Sequence, residues 1–457
     1  MNSIISHIQI HPQTPSTAIV ISRSLADLWG CANGQSIRVE LGNKSLITRV
    51  VRGKIKGYRI FFHPSMARQL LIPYTGQVRV AFRGKTLKLG PIIGILTTGF
   101  TGNPVTPFGV RTFLFKGFIQ GGEEEKPITY VFTPDMVDWQ NRTISGWYYL
   151  HHKNGWQPIV SPFPDVVYER VPNRKAESLS HVQSCLSRLR ESYHCKIFNQ
   201  GFFNKWSIHQ LLSNHEITRE FIPETVLSPS IGTLHKMLER HSMVYLKPNT
   251  GSLGMGIFRI THHPKEGYYC RFHQGTKNVL HRFRSLEKLI SHYFGSPQSS
   301  RFKKYLVQQG IRLIRHENRP VDFRVHMHKD GSGEWKVVAI ASKAAGSGCV
   351  TTHVRTGGSI LPTDELLAKT FRENARSVEA SIRNAAILIA RALEEQVNGP
   401  LGELGMDMGV DHSGRVWLFE VNSKPGRHIF QHPSYKDAGR KSAKYITDYS
   451  LKLAEFI

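Results

Sequence analysis

ELGMDMGVDHSGRVWLFEVNSKPGR, residues 403–427, is the most informative stretch of the chain. Two apolar, alternating segments flank Asp411-His412-Ser413-Gly414, the pattern of a β-hairpin with a tight turn. On such a hairpin Asp407 lies across from Glu420, while Glu420 and Asn422, two apart on one strand, face the same way. Three hard oxygen donors on one face suit Mg²⁺, which keeps waters and bridges substrate phosphates. The bland alternative is a solvated polar strand face. The apolar neighbours on both strands argue against it, because they direct the acids into a cleft.

Upstream, Met243-Val244-Tyr245-Leu246-Lys247-Pro248 reads as an apolar strand that delivers a lysine to the Gly-rich turn of residues 249–257. Gly251, Gly254 and Gly256 let backbone N–H groups approach an anion without obstruction by Cβ, and Lys247 is placed to neutralise it. The context is strand, turn, strand, so neither a P-loop nor a Rossmann turn fits. A Gly-rich hairpin without a ligand is the competing reading. Asp322-Phe323-Arg324-Val325 opens a further hairpin completed by residues 335–340. Just before it, residues 305–311 form a buried strand running into a turn, suited to presenting backbone groups to a purine edge. Arg324 alone would be a surface cation; in this company it reads as a phosphate contact.

Apolar residues at helical spacing predict a lid-like helix over 284–294 and a long helical region over 363–397, with 297–304 as a mobile connector. Residues 91–200 read as a small α/β domain. Its first strand, residues 92–96, is a buried run ending in Thr97, Thr98 and Gly99, residues 121–127 (GGEEEKP) are a surface loop, and residues 166–168 are a further strand. The first 90 residues hold a repeat: Ser24-Leu25-Ala26, Ile37-Arg38-Val39 and Lys44-Ser45-Leu46 recur 41 residues later. Two such halves, each a short helix, a Gly-Gln turn and two strands, resemble the interlocked halves of a double-psi or swapped-hairpin barrel.

The chain has 457 residues and a formal net charge of +26, and its hydrophobic fraction of 40% is enough for packed cores. Length suggests roughly three domains at about 150 residues each. The first residues lack the pattern of a secretory signal, the uncharged stretch 89–110 is too rich in Gly, Pro and Thr to span a membrane, and five cysteines without a CxxC pair favour a reducing, cytoplasmic setting. Residues 1–90 carry 13 Lys or Arg against Asp27 and Glu40, a segment that attracts polyanions. No ladder of aromatics accompanies these cations, which weakens a single-strand nucleic-acid reading.

A strand lysine before a Gly-rich hairpin, a hinge strand, and a closing Asp, Glu, Asn set is similar to ATP-grasp enzymes. More narrowly, NKWSIHQLL, YLKPNTGSLGMGI, DFRV and the 403–427 stretch resemble the endospore coat-associated YheC/YheD family of spore-forming bacteria. The resemblance implies an α/β (α+β) chain: an N-terminal β-barrel-like domain over 1–90, a pre-ATP-grasp domain over 91–200 and an ATP-grasp domain over 201–457. It implies that Lys205 and Lys247 hold the α- and β-phosphates of ATP, and that Gly251, Ser252, Gly254 and Gly256 form the lid. It further places Gln308, Gln309 and Ile311 at the adenine, Asp322 at the ribose, Arg324 at the γ-phosphate, and Asp407, Glu420 and Asn422 on magnesium.

Three positions depart from the family pattern: Asn204 stands where Asp is usual, His353 where Asn is common, and Ser342-Lys343 where Arg is frequent. Lys343 is the candidate for the missing catalytic cation. The leading expectation is an ATP- and Mg²⁺-dependent carboxylate-amine ligase acting through an acyl phosphate, cytoplasmic or associated with the spore coat. Its partners would be ATP, a carboxylate, an amine, and coat components or an anionic polymer met by the basic N-terminal region. The alternative is a non-catalytic, nucleotide-binding coat protein. The histidines, His326 and His328 included, read as surface or packing residues and not as ligands.

Overall fold

The computed structural model describes residues 3–249, 256–274, 277–346, 349 and 357–457. Seven strands between Ile4 and Leu89 close into a barrel. The repeat is visible within it: Ala18–Ser22, Arg23–Trp29, Ser36–Leu41 and Lys44–Gly53 recur as Arg59–Phe62, Pro64–Leu70, Gly76–Arg83 and Thr86–Leu89. Neither half closes alone. Ser36–Leu41 pairs in parallel with Thr86–Leu89 of the other half, and Ile4–Ile10 seals the barrel against Arg59–Phe62 and Gly76–Arg83. Strand alternation turns Ile37, Val39 and Leu41 inward and leaves Arg38 in solvent.

The next sheet has a parallel core of Ile128–Phe132, Ile92–Leu96, Val166–Glu169 and Lys196–Phe198, in that order. Burial on both faces explains why Ile92–Leu96 is apolar at every position. One face is covered by the helix Thr112–Gly121 together with Lys436–Leu453, which returns from the far end of the chain. Glycine permits that approach: a Cβ on Gly121 would stand 2.3 Å from Ala443 Cβ, and one on Gly122 would stand 1.9 Å from Thr447 Oγ1. The acidic segment expected as a plain surface loop contains a 3-10 turn, Glu123–Glu125. Glu125 pairs with Arg79 of the barrel and with Lys444 of the returning helix, so this turn is a three-way joint.

Two antiparallel sheets make the rest. The first, in the order Thr225–Leu227, Tyr305–Gln309, Met243–Pro248, Phe258–His263, Gly267–Gln274 and Lys277–Phe283, is backed by the helices Ile231–His241 and Leu286–Phe294. Ser285 caps the second helix, which buries Leu286, Leu289, Ile290 and Phe294 as its spacing predicts. The supposed connector 297–304 is more ordered than its composition suggests: it contains the helix Ser300–Lys303, capped by Ser299, with Phe302 fully buried. The second sheet, Ser359–Leu361, Trp335–Ala344, Arg319–Lys329, Glu403–Val410 and Val416–Asn422, packs on Ala375–Gln396. The helical region over 363–397 divides into Thr363–Phe371 and Ala375–Gln396, because Arg372 between them takes a left-handed φ of 51°. Among the described residues no helix is long and apolar enough to cross a membrane.

Candidate functional site

The cavity between the two antiparallel sheets is lined by Lys205, Lys247, Gln308, Gln309, Ile311, Asp322, Lys343, Asp407 and Glu420. Both hairpins form: Leu246 lies opposite Phe258, and Asp407 lies opposite Glu420 as expected. Gly405 lies opposite Asn422, and the strand slips by one residue immediately after Asp407. Ile208, Leu212, Ile222, Leu306, Leu313 and Leu418 give the cavity apolar walls. Arg324, Asn422 and Gly256 flank the cavity and are not part of its lining. Gly256 has a left-handed φ of 72°. Gly251, Ser252, Gly254 and His353 lie outside the described residues.

Lys205 opens the helix Lys205–Asn214, whose first turn is capped by Asn204: its Oδ1 accepts from Trp206 N at 2.9 Å and Ser207 N at 3.1 Å. Asn at this position is thus put to use as a helix cap. The Lys205 ammonium reaches Glu420 Oε2 at 3.4 Å. Lys247 Nζ donates to Gln308 Oε1 at 2.5 Å, and Gln308 Nε2 donates in turn to Thr225 Oγ1 at 3.1 Å. Burial and the neighbouring Lys205 push the Lys247 ammonium down to about 8, against the pull of Glu420, Asp407 and Asp322. The Gln308 side chain therefore positions a lysine, while Gln309 Oε1 accepts from Glu224 N at 3.2 Å.

The floor of the cavity is a charged lattice. Lys343 Nζ lies 3.0 Å from Asp322 Oδ1 and 2.9 Å from Asp407 Oδ1, and Arg324 Nη1 lies 3.4 Å from Asp407 Oδ2. Burial opposes the Lys343 charge, but Asp322 and Asp407 outweigh it and raise its pKa above the ordinary lysine range. Among the described residues Arg324 Nε and Nη1 are buried and make no hydrogen bond, and Nη1 meets Asp407 only as an ion pair. A guanidinium and an ammonium beside carboxylates fit phosphate oxygens with their counter-ions, and carboxylate and amide oxygens on one hairpin fit Mg²⁺.

Further along the same strands, on the same sheet face, lies a network that sequence reasoning missed. Glu403 is fully buried and accepts from His326 Nε2 at 2.9 Å, Arg427 Nη1 at 2.8 Å, Arg170 Nη1 at 3.3 Å and the Tyr168 hydroxyl. Burial raises its pKa, yet Arg170 and the two histidines prevail and hold it well below the usual carboxylate range. His328 Nε2 lies 3.4 Å from the same carboxylate and 2.6 Å from Ser442 Oγ. The geometry of His326, His328 and Glu403 would admit a metal ion, but two guanidiniums already neutralise the carboxylate. Of the surface and packing positions expected for the histidines, His326 and His328 take the interior one. The signal was the spacing: His326 and His328 share a strand face and pair with Gly405 and Glu403. Lys424, also within the 403–427 stretch, is buried between Glu169 and Glu177 and ties this loop to the parallel sheet.

A family model described as YheC/D-like ATP-grasp matches residues 194–453. Over 421 residues the chain is 33% identical to the endospore coat-associated protein YheD of Bacillus subtilis (strain 168), covering 89% of this chain and 90% of that protein. It is 23% identical over 303 residues to the endospore coat-associated protein YheC of the same organism, covering 65% and 80%. Among solved structures, a D-alanine–D-alanine ligase from Bacillus anthracis complexed with ATP is 15% identical, with a TM-score of 0.44 over 80% of this chain and 98% of that one. The ATP-grasp ligase PsnB, complexed with a phosphomimetic precursor variant, Mg and ADP, is 12% identical, with a TM-score of 0.41 over 79% and 99%. Likenesses this low carry no functional argument.

Proposed function

The chain belongs to the YheC/D-like ATP-grasp family, and on that footing we propose that it is an ATP- and Mg²⁺-dependent ligase joining a carboxylate to an amine. The observation that carries this reading is the convergence of Lys205, Lys247, Asp407 and Glu420 on one cavity beside the buried strand Tyr305–Gln309. The apolar walls take the adenine against the backbone of that strand, Asp322 serves the ribose, and Lys205 and Lys247 neutralise the α- and β-phosphates. Arg324 and Lys343 face the γ-phosphate. Glu420 and Asn422, beside Asp407, are the residues that would hold magnesium, which would shield phosphate charge. A carboxylate oxygen attacks the γ-phosphorus, the bond to the β-phosphate oxygen breaks, and ADP leaves. The amine then attacks the acyl carbon, phosphate departs, and the amine loses a proton. No side-chain nucleophile is needed.

The setting we propose is the spore coat, as the name of YheD suggests. The exposed barrel cations Arg49, Arg52, Lys54, Lys56, Arg59, Lys85 and Lys88 support contact with an anionic coat or wall polymer. The decisive assay is Mg²⁺-dependent ADP release with amino acids, small peptides or cell-wall precursors as acceptors. Release that requires both a carboxylate and an amine is the expected result. Tight nucleotide binding without turnover on any acceptor would replace the ligase with a nucleotide-binding coat protein, the reading that Lys343 and Asn204 favour.

A further inference from the structure

The acids on the cavity floor are not equally available to a metal. Asp407 has a cation at each carboxylate oxygen: Lys343 Nζ at 2.9 Å from Oδ1 and Arg324 Nη1 at 3.4 Å from Oδ2. Lys343 bridges onward to Asp322 Oδ1 at 3.0 Å, and its side chain is only 6% exposed. Strand register builds this bridge. Asp322 sits opposite Lys343 on one side and Arg324 sits opposite Asp407 on the other, so the lysine spans the strand between two acids. A divalent ion seated on Asp407 would meet two fixed positive charges at close range, in an interior where charge is poorly screened. Glu420 differs: its side chain is 32% exposed and touches one ammonium, Lys205, at 3.4 Å. Asn422 is two residues further along the same strand, half-buried and neutral.

We propose that Lys343, with Arg324, keeps a divalent cation off Asp407, so that this chain binds nucleotide with a single divalent ion held by Glu420 and Asn422. The proposal rests on the nucleotide reading above. An ammonium is a compact point charge that fits between two carboxylates, whereas a planar guanidinium needs a wider seat.

The test counts Mn²⁺ ions by electron paramagnetic resonance on the full chain saturated with a non-hydrolysable ATP analogue, with bound analogue quantified separately by equilibrium dialysis. The wild-type chain is expected to hold one Mn²⁺ per bound analogue. Lys343→Met and Lys343→Gln are expected to hold two, and Mn²⁺ should raise their melting temperature more than it raises that of wild type. Two ions on the wild-type chain would overturn the proposal, as would a single ion on both variants with the analogue still bound. Failure of the wild-type chain to bind the analogue in dialysis would instead overturn the nucleotide reading, and the proposal with it.

Discussion

Asn199 grips the backbone of Glu403 from both sides: its Nδ2 donates to Glu403 O at 2.6 Å, and Glu403 N donates to its Oδ1 at 2.9 Å. The same amide accepts from Gly402 N at 2.8 Å and donates to Ser423 O. Asn199 is fully buried, follows the last parallel strand and takes a left-handed φ of 59°, a conformation Asn tolerates. One side chain thus joins the parallel sheet to both ends of the Asp407–Glu420 hairpin.

Asn199→Ala should therefore be among the most damaging single changes in the chain. It orphans backbone donors and acceptors that cost about 1–3 kcal/mol each when unsatisfied in the interior. Urea denaturation should show a midpoint shift well beyond that of an ordinary surface change, and a wild-type midpoint would mean that the clamp carries no stability.

Acid should weaken the fold through the buried histidines. Burial lowers His326 to about 3 and also lowers His328. An unfolded histidine takes up a proton below about 6.5, whereas the folded one refuses it, so the His326 contribution is whole above about pH 6.5 and declines toward pH 3. His326 contributes a slope of up to about 1.4 kcal/mol per pH unit in that window. Denaturation of wild type and His326→Gln from pH 7.5 to 4.5 should show a shallower slope in the variant. A flat wild-type profile between 6.5 and 4.5 would contradict burial in the neutral form.

Nucleotide affinity should fall as pH rises through about 8. Lys247 begins to lose its proton there in the ligand-free chain, and phosphate binding requires the ammonium. The loss approaches about tenfold per pH unit. Lys247→Arg should flatten the profile. Lys247→Met should weaken binding by about 1.5–3 kcal/mol, roughly ten- to a hundredfold, with little change in ligand-free melting. A destabilised Lys247→Met chain with wild-type affinity would make Lys247 a packing residue.

Glu420→Gln removes one negative charge and keeps the shape of the side chain. With the Glu420 side chain 32% exposed and its partner Lys205 at 3.4 Å, folding should survive. Calorimetry should show that Mg²⁺ no longer strengthens nucleotide binding as it does in wild type. Unchanged magnesium dependence would remove Glu420 from the metal site.

Local patterns carried much of this structure. The 41-residue echo became a closed barrel, the Asp407 and Glu420 strands paired face to face, and Lys247 arrived at the cavity beside the strand Tyr305–Gln309. The relations that escaped are those between segments far apart in the chain. Nothing near Glu403 announces that Tyr168 and Arg170 will meet it, and nothing near Asn199 announces Ser423. Spacing identified His326 and His328 as one face but could not say that the face points inward. The segment 297–304 was misleading because its polar composition masks one anchor, Phe302. Lys343 was noted as a departure from a pattern, and only its neighbours gave it a chemical position.

The helix Lys436–Leu453 covers the parallel sheet with Ala443, Ile446 and Tyr449, through a contact that Gly121 and Gly122 make possible. During synthesis that sheet leaves the ribosome long before its cover does. Until then Tyr168, Phe198 and Phe118 present an open apolar face, so a nascent chain stalled before residue 436 would advertise its incompleteness to chaperones and proteases. Docking of Lys436–Leu453 shields that face, and the topology thereby links survival of the parallel sheet to translation through that distant helix.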